Sequence, residues 1–483
     1  IEWNWSPDGR HLAYVTGGSL AKGQIVVVPA EGGEQRTLAG EGVPSFDPGD
    51  GEYAPVWDAS GDSLYAVGDG RLWRVDAASG RGSAVATIPD WRIRSIVMPF
   101  GRPTLPTSGS GRAVWVLARQ RGGGQAGFYA VDLSNGSVRP GAVYEKQLSA
   151  IFNLDLDANT GEIAFVSTDQ QSLHDVWIFD PRDGRSRRVS RLNEAMDRYE
   201  LGSARLIEWR SLDGQPLKGA LLLPPGHEVG QRLPLVVWVY GGASGSLGVN
   251  RFALYGSSPV FNFHVLATRG YAVLYPDAPI REGMPMTDLM RTVMPGVNAA
   301  IDQGYADADR LAVMGQSYGS YCVLAIIAQT RRFKAAVITA ATIHPDLFAD
   351  YLESIGYYEQ GQGNMKATIW QQRDRYFANS PLFLFDRIET PLLIGKGEKD
   401  GGQAAAGAIF AGLQRLNKPV EYRLYEGEGH VISQRANVLD FWNRRLEFLA
   451  EHLDLTLDAR GRIVFEGGRA KSRRGAATGG RGP

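Results

Sequence analysis

The chain has 483 residues, 51 Lys and Arg against 52 Asp and Glu, a net charge of −1, 43% hydrophobic residues and one cysteine. At about 150 residues per domain, this length predicts two to three domains, and the composition excludes a disordered chain. The balanced charge excludes a general nucleic-acid binder, and the lone Cys322 excludes an intrachain disulfide scaffold.

The longest strongly apolar run, Leu233 to Tyr240, is far short of the ~20 residues needed to span a bilayer. A soluble protein with no membrane partner is expected, and its residues specify no compartment. The chain opens at Ile1, directly on a strand pattern, which predicts that an amino-terminal stretch is missing.

A repeat comes first along the chain. Trp5-Ser-Pro-Asp-Gly9 precedes the alternating run Arg10 to Val15. The same turn-then-strand signal returns at Gly61, Gly111 and Gly161, spaced by 52, 50 and 50 residues. A second strand follows about 15 residues after each turn: Gln24–Val28, Arg71–Asp76, Gly127–Asp132 and Asp175–Asp180. Each is followed by a hairpin glycine, Gly32, Gly80, Gly136 or Gly184. A period near 50 with aromatic and β-branched strands predicts about four β-propeller blades over residues 1–200. Terminal blades of a cut-down ring would expose strand edges and favour homo-oligomers.

From about residue 203 the pattern changes. An antiparallel pair, Arg205–Arg210 and Leu217–Leu223, leads into buried-strand runs at 235–240, 271–275, 311–314, 335–338, 392–394 and 420–424. Helix-period segments at 286–303, 321–330, 404–416 and 434–452 lie between and after them. This alternation predicts a doubly wound, mostly parallel sheet over 203–456. Residues 457–483 carry seven basic and two acidic residues and read as a solvated, disordered tail.

Gly315-Gln-Ser317-Tyr-Gly319 is the one G-x-S-x-G match. A strand enters it and an apolar helix leaves it, the setting of a nucleophile elbow. A serine needs a base to take its proton. His430, in the loop Glu426-Gly-Glu-Gly-His430 between a strand and a helix, is the candidate among the seven histidines. The third member should be a carboxylate after the strand Pro391–Gly395, where Asp400 and its neighbour Glu398 compete. Oxyanion donors are expected from the Tyr318 N–H and from the loop Val239-Tyr240-Gly241-Gly242.

Taken together, these segments resemble the prolyl oligopeptidase family, in which a propeller is joined to an α/β-hydrolase domain. Asp302 to Gly319 is similar to the family's approach to its nucleophile, and Trp5-Ser-Pro-Asp-Gly9 is similar to its blade signature. The resemblance implies a Ser317–Asp400–His430 triad, with the Tyr240 hydroxyl assisting the Tyr318 N–H. It also implies peptidase action on short peptides, a propeller that excludes large folded proteins, and seven or eight blades in the complete ring. His344 to Tyr358 is expected to help wall the specificity pocket. The chain departs from the family pattern at Gly395-Lys-Gly397, where His-Gly is usual, and at Gly401-Gly-Gln403, where an apolar residue and proline are usual.

The expected function is therefore a serine peptidase working through an acyl-enzyme, with no cofactor and no metal. A carboxylesterase of the same fold and a silent propeller-bearing binding protein are the alternatives.

Overall fold

The computed structural model describes residues 3–16, 23–38, 55–101, 104–106, 112–148, 154–255 and 258–473. The chain forms two compact units, Ile1–Arg198 and Tyr199–Pro483.

Unit one is built from antiparallel sheets whose strands follow chain order. The first comprises Trp3–Trp5, His11–Val15, Ile25–Pro29 and Arg36–Leu38. The second comprises Val56–Trp57, Ser63–Gly68, Arg71–Asp76 and Gly82–Ala86. Trp91–Ile96, Ala113–Gln120, Ala126–Asp132 and Val138–Tyr144 make the third. The fourth is centred on Ile163–Thr168, Asp175–Asp180 and Arg185–Arg188, with two short strands on the free side of Ile163–Thr168. These sheets are the expected blades.

Side-chain alternation explains how they stack. Along Ala113–Gln120, Val114, Val116 and Ala118 bury against residues of the second sheet, including Tyr65 and Leu72. Trp115 and Leu117 point the other way, onto Phe165 and Phe179 of the fourth. A period of two thus gives a central blade two apolar faces. Trp57 and Leu64 of the second sheet close on Ala13 and Val27 of the first in the same manner. The repeat glycines Gly9, Gly61 and Gly161 all have positive φ, as their turns require. The remaining repeat glycine, Gly111, lies outside the described residues.

In unit two the strands are labelled β1 (Ser203–Arg210), β2 (Pro216–Leu223), β3 (Leu233–Trp238), β4 (Ala272–Pro276), β5 (Ala306–Gln316), β6 (Ala335–Thr339), β7 (Leu392–Gly397) and β8 (Val420–Tyr425). Their order in the sheet is β1-β2-β4-β3-β5-β6-β7-β8. Antiparallel pairing is confined to β1–β2 and β2–β4, and every later pair is parallel. This is an α/β-hydrolase sheet.

The principal helices are α1 (Pro285–Asp302), α2 (Tyr318–Ile327), α3 (Gln403–Arg415) and α4 (Arg435–His452). Leu289 and Val293 of α1, the apolar residues of α2, and Ile409 and Leu413 of α3 share one core with Val237, Leu274, Val313, Ile338 and Ile394. The opposite face of β7 receives α4. A Cβ at Gly395 would lie 2.4 Å from the Phe441 ring, so glycine is required for that approach. Because β5 to β8 run parallel, their carboxyl ends lie at one edge of the sheet, where loops can gather functional groups. Among the described residues, no helix is long and apolar enough to cross a membrane.

One expectation is corrected here. Residues 457–473 are not a solvated tail: Phe465–Glu466 pairs with Arg469–Ala470, and Leu457 bridges Ile463. Ile463 and Ala470 are buried, and Phe465 packs at Gly270. The cause is the apolar run Ile463-Val-Phe465, which has surface to bury and which a composition averaged over the whole Gly- and Arg-rich segment conceals. Residues 474–483 lie outside the described residues.

In unit one, Phe128 is fully buried among the rings of Tyr144, Phe165 and Phe179. Phe128→Ala should destabilise this unit by about 3–5 kcal/mol. Urea denaturation followed by tryptophan fluorescence checks it, and an unchanged midpoint would show that the aromatic stack contributes little.

Candidate active site

The turn between β5 and α2 is held in a conformation that few residues tolerate. Ser317 has φ 58° and ψ −121°, outside the ordinary regions for an L-residue. A Cβ at Gly315 would lie 2.3 Å from the Gly319 carbonyl oxygen, and one at Gly319 would lie 2.6 Å from the Val239 oxygen. Gly315 is therefore required for the chain to turn this tightly, and Gly319 for the turn to pack against the chain after β3. The Ser317 N–H donates to the Thr339 carbonyl at 2.9 Å, and the Ser320 hydroxyl donates to the same oxygen at 2.8 Å. These bonds tie the strained residue to the end of β6. Tyr318 begins the helix, so its N–H has no carbonyl acceptor within the helix.

The loop after β3 packs directly on this turn. The Gly241 N–H donates to Cys322 Sγ at 3.2 Å, and the Gly242 N–H donates to the Ala278 carbonyl at 2.7 Å. A Cβ at Gly241 would meet the Ile280 and Tyr318 side chains at 2.5 and 3.0 Å. The Tyr240 ring lies edge-on to Tyr318, with centroids 6.0 Å apart, and its hydroxyl accepts from Gln362 Nε2 at 3.1 Å. Burial pushes the Cys322 thiol up to about 12, so it serves as a packing group and not as a competing nucleophile.

The loops after β7 and β8 meet through several short contacts, one of which joins the candidate base to a carboxylate. His430 Nδ1 and Asp400 Oδ1 are 2.9 Å apart; the carboxylate is almost fully buried, whereas the imidazole is 45% exposed. Gln316 Nε2 lies 3.5 Å from the His430 carbonyl oxygen, so the histidine loop borders the serine turn. Glu398, the competitor to Asp400, instead accepts the Gly427 N–H at 2.9 Å and braces the histidine loop from below.

The other histidines of this unit have separate roles. His227 bonds the Gln231 carbonyl, His344 bonds the Asp346 backbone, His264 packs on Phe252, and His452 packs on Phe448.

Residues 257–456 match the prolyl oligopeptidase family. The chain carries a prolyl oligopeptidase family domain. It is 25% identical over 390 residues to the uncharacterized peptidase YuxL of Bacillus subtilis, an alignment covering 75% of this chain and 56% of that protein. It is 22% identical over 475 residues to dipeptidyl-peptidase 5 of Porphyromonas gingivalis, covering 91% and 65%. The chain thus spans between one half and two thirds of the length of these curated relatives. Among solved structures, a puromycin-hydrolyzing peptidase of Mycobacterium tuberculosis superposes with a TM-score of 0.76 at 21% identity, covering 93% of this chain and 69% of that one. That likeness supports the fold.

The family domain has features that sequence reasoning missed. Tyr318, Tyr321, Tyr357 and Tyr358 form a chain of ring contacts beside the serine turn. Burial raises the Tyr318 and Tyr357 phenols well above their ordinary value, so both remain neutral. Tyr318 and Tyr321 stand one helical turn apart on α2 and the stretch ending at Tyr358 is expected to wall a pocket, but no local pattern shows that these distant segments meet.

Lys396, on β7, is fully buried and donates to Asp400 Oδ2 at 2.6 Å, to the Ala341 carbonyl at 3.0 Å and to the Gly401 carbonyl. Burial pushes its ammonium down from its ordinary value, opposed by the adjacent Asp400 carboxylate. The Gly395-Lys-Gly397 departure was its only visible signal.

Glu428, two residues before His430, is also buried. Its carboxylate accepts the Ser433 and Gln434 N–H groups and Asn437 Nδ2, each at 2.9 Å. It therefore fixes the histidine loop onto the amino end of α4, where negative charge is favourable. Burial pushes this carboxyl up, but the donors of Ser433, Asn437 and Gln434 outweigh that and hold it below its ordinary value of 4.5. A carboxyl lowered in the folded state contributes stability above its unfolded value and loses it as pH falls through its folded one. Glu428→Gln should therefore cost about 1–3 kcal/mol near neutrality. Urea denaturation at neutral and at strongly acidic pH should show that deficit vanish in acid; a pH-independent deficit would exclude the charged-acceptor role.

Proposed function

We propose that the chain is a serine peptidase that hydrolyses short peptides through an acyl-enzyme. Ser317 attacks the scissile carbonyl, His430 takes the serine proton and returns it to the leaving amine, and Asp400 fixes the imidazole tautomer and stabilises the imidazolium. The Tyr318 N–H and the Tyr240 hydroxyl receive the developing oxyanion. Water then releases the acid by the reverse proton path.

The single observation that carries this reading is the 2.9 Å contact between Asp400 and His430, beside a serine held at positive φ. The three side chains follow β5, β7 and β8, whose carboxyl ends share one sheet edge. The buried Tyr318 and its ring contact with Tyr357 support an aromatic wall for the residue preceding the scissile bond. Peptide substrates are also supported by the names of the relatives, which are peptidases and a dipeptidyl-peptidase.

The test is a peptide-library profile of the wild type beside Ser317→Ala and His430→Ala. Either variant should lose about 10⁶-fold in kcat, because the triad acts as a unit. Cleavage that persists in Ser317→Ala would overturn the mechanism. Turnover of p-nitrophenyl esters without any amide hydrolysis would make the chain a carboxylesterase.

A further inference from the structure

We propose that Lys396 is a positioning residue of the proton relay: it shares the Asp400 carboxylate with His430 and so weakens the hold of that carboxylate on a protonated imidazole. The inference rests on the roles proposed above for Asp400 and His430.

The geometry carries it. The two oxygens of Asp400 are divided, Oδ2 to Lys396 Nζ at 2.6 Å and Oδ1 to His430 Nδ1 at 2.9 Å. The Lys396 side chain has no exposed surface, and that of Asp400 is only 4% exposed. Each of the three ammonium protons has an acceptor, in Asp400, Ala341 and Gly401. The cation therefore has a single orientation. It also joins three segments: β7 itself, the loop after β6 that carries Ala341, and the loop that carries Asp400 and Gly401.

A carboxylate that served the imidazole alone would devote its whole charge to the imidazolium formed during catalysis. Here part of that charge is already neutralised by a cation held in place by the fold. A unit charge one carboxylate away, at the intermediate permittivity of a protein site, shifts a neighbouring group by about one pKa unit. Removing the lysine charge leaves the protonated histidine better stabilised, so the acid limb of the pH profile moves to higher pH.

Other ionisable groups on the surrounding elements are Glu426 and Glu428 on the histidine loop, Arg435 at the start of α4, Glu421, Arg423 and Tyr425 on β8, Glu398 and Lys399 on the aspartate loop, and His344 and Asp346 after β6. α2 carries no charged side chain. All of these remain in place when Lys396 is replaced, so they cancel in a comparison of variants.

The experiment compares the full-length wild type with Lys396→Met, Lys396→Gln and Lys396→Arg. The His430 imidazole is titrated by NMR and assigned by its loss in His430→Gln, while the pH dependence of Ser317 labelling by a fluorophosphonate is followed in parallel. The Met and Gln variants should raise both midpoints by about one unit, and Arg should leave them unchanged. A folded Met or Gln variant that titrates at the wild-type midpoint would overturn the proposal and reduce Lys396 to a prop. Failure of both neutral variants to fold while Arg folds would also overturn it. A shifted NMR midpoint without any serine labelling would sustain the Lys396 effect while refuting the peptidase reading, so the two failures are separable.

Discussion

The positive φ of Ser317 is the constraint on which the site depends. A hydroxyl can stand clear of its own helix only if the chain turns sharply from β5 into α2. That turn brings the 315 and 319 backbones so close that a side chain at 315 would collide with the Gly319 carbonyl oxygen, while one at 319 would collide with that of Val239. Glycine at both positions removes the collision, and the bonds from the Ser317 N–H and the Ser320 hydroxyl to Thr339 offset the remaining strain. Val239 lies against the same turn, so the loop carrying Tyr240 is positioned by the contact that makes Gly319 necessary.

Around this turn, the sheet does the gathering. Parallel strands present their carboxyl ends together, and the loops after β5, β7 and β8 reach one another without long excursions. Polar groups on and beside these loops then set the details. Glu428 anchors the histidine loop to α4, Glu398 braces it through Gly427, and Lys396 locks the aspartate loop to the end of β6. The buried charges of Glu428 and Lys396 are costly unless every donor and acceptor is matched. In these two residues the matching partners are mostly backbone groups of the loops being held. The energetic requirement to pair each charge is thus the means by which the loops are fixed.

Much of this was legible in the sequence because it is written in local periods. The blade repeat shows in glycines that must adopt positive φ and in strands with a period of two; the second unit shows in alternating apolar runs and helical stretches. The serine turn was visible because steric necessity fixes Gly315 and Gly319 in the chain. His430 could be chosen because it alone among the histidines follows a strand in a turn-rich loop. The hairpin at 465–470 was misjudged, since a short apolar run within a Gly- and Arg-rich segment has little weight until a surface is offered to it.

The order in which the strands pair, with β4 between β2 and β3, is not encoded in any local pattern. Nor could spacing decide between Glu398 and Asp400, two residues apart on one loop, since only the folded loop shows which carboxylate faces the imidazole and which binds a backbone N–H. The burial of Lys396 and the ring contacts of Tyr318 with Tyr357 belong to the same class. By itself the sequence determined the elements, the strained turn and the chemical types available at its edge. The tertiary structure decided which charges meet, because pairing between distant segments depends on distances that appear only when the sheet has assembled.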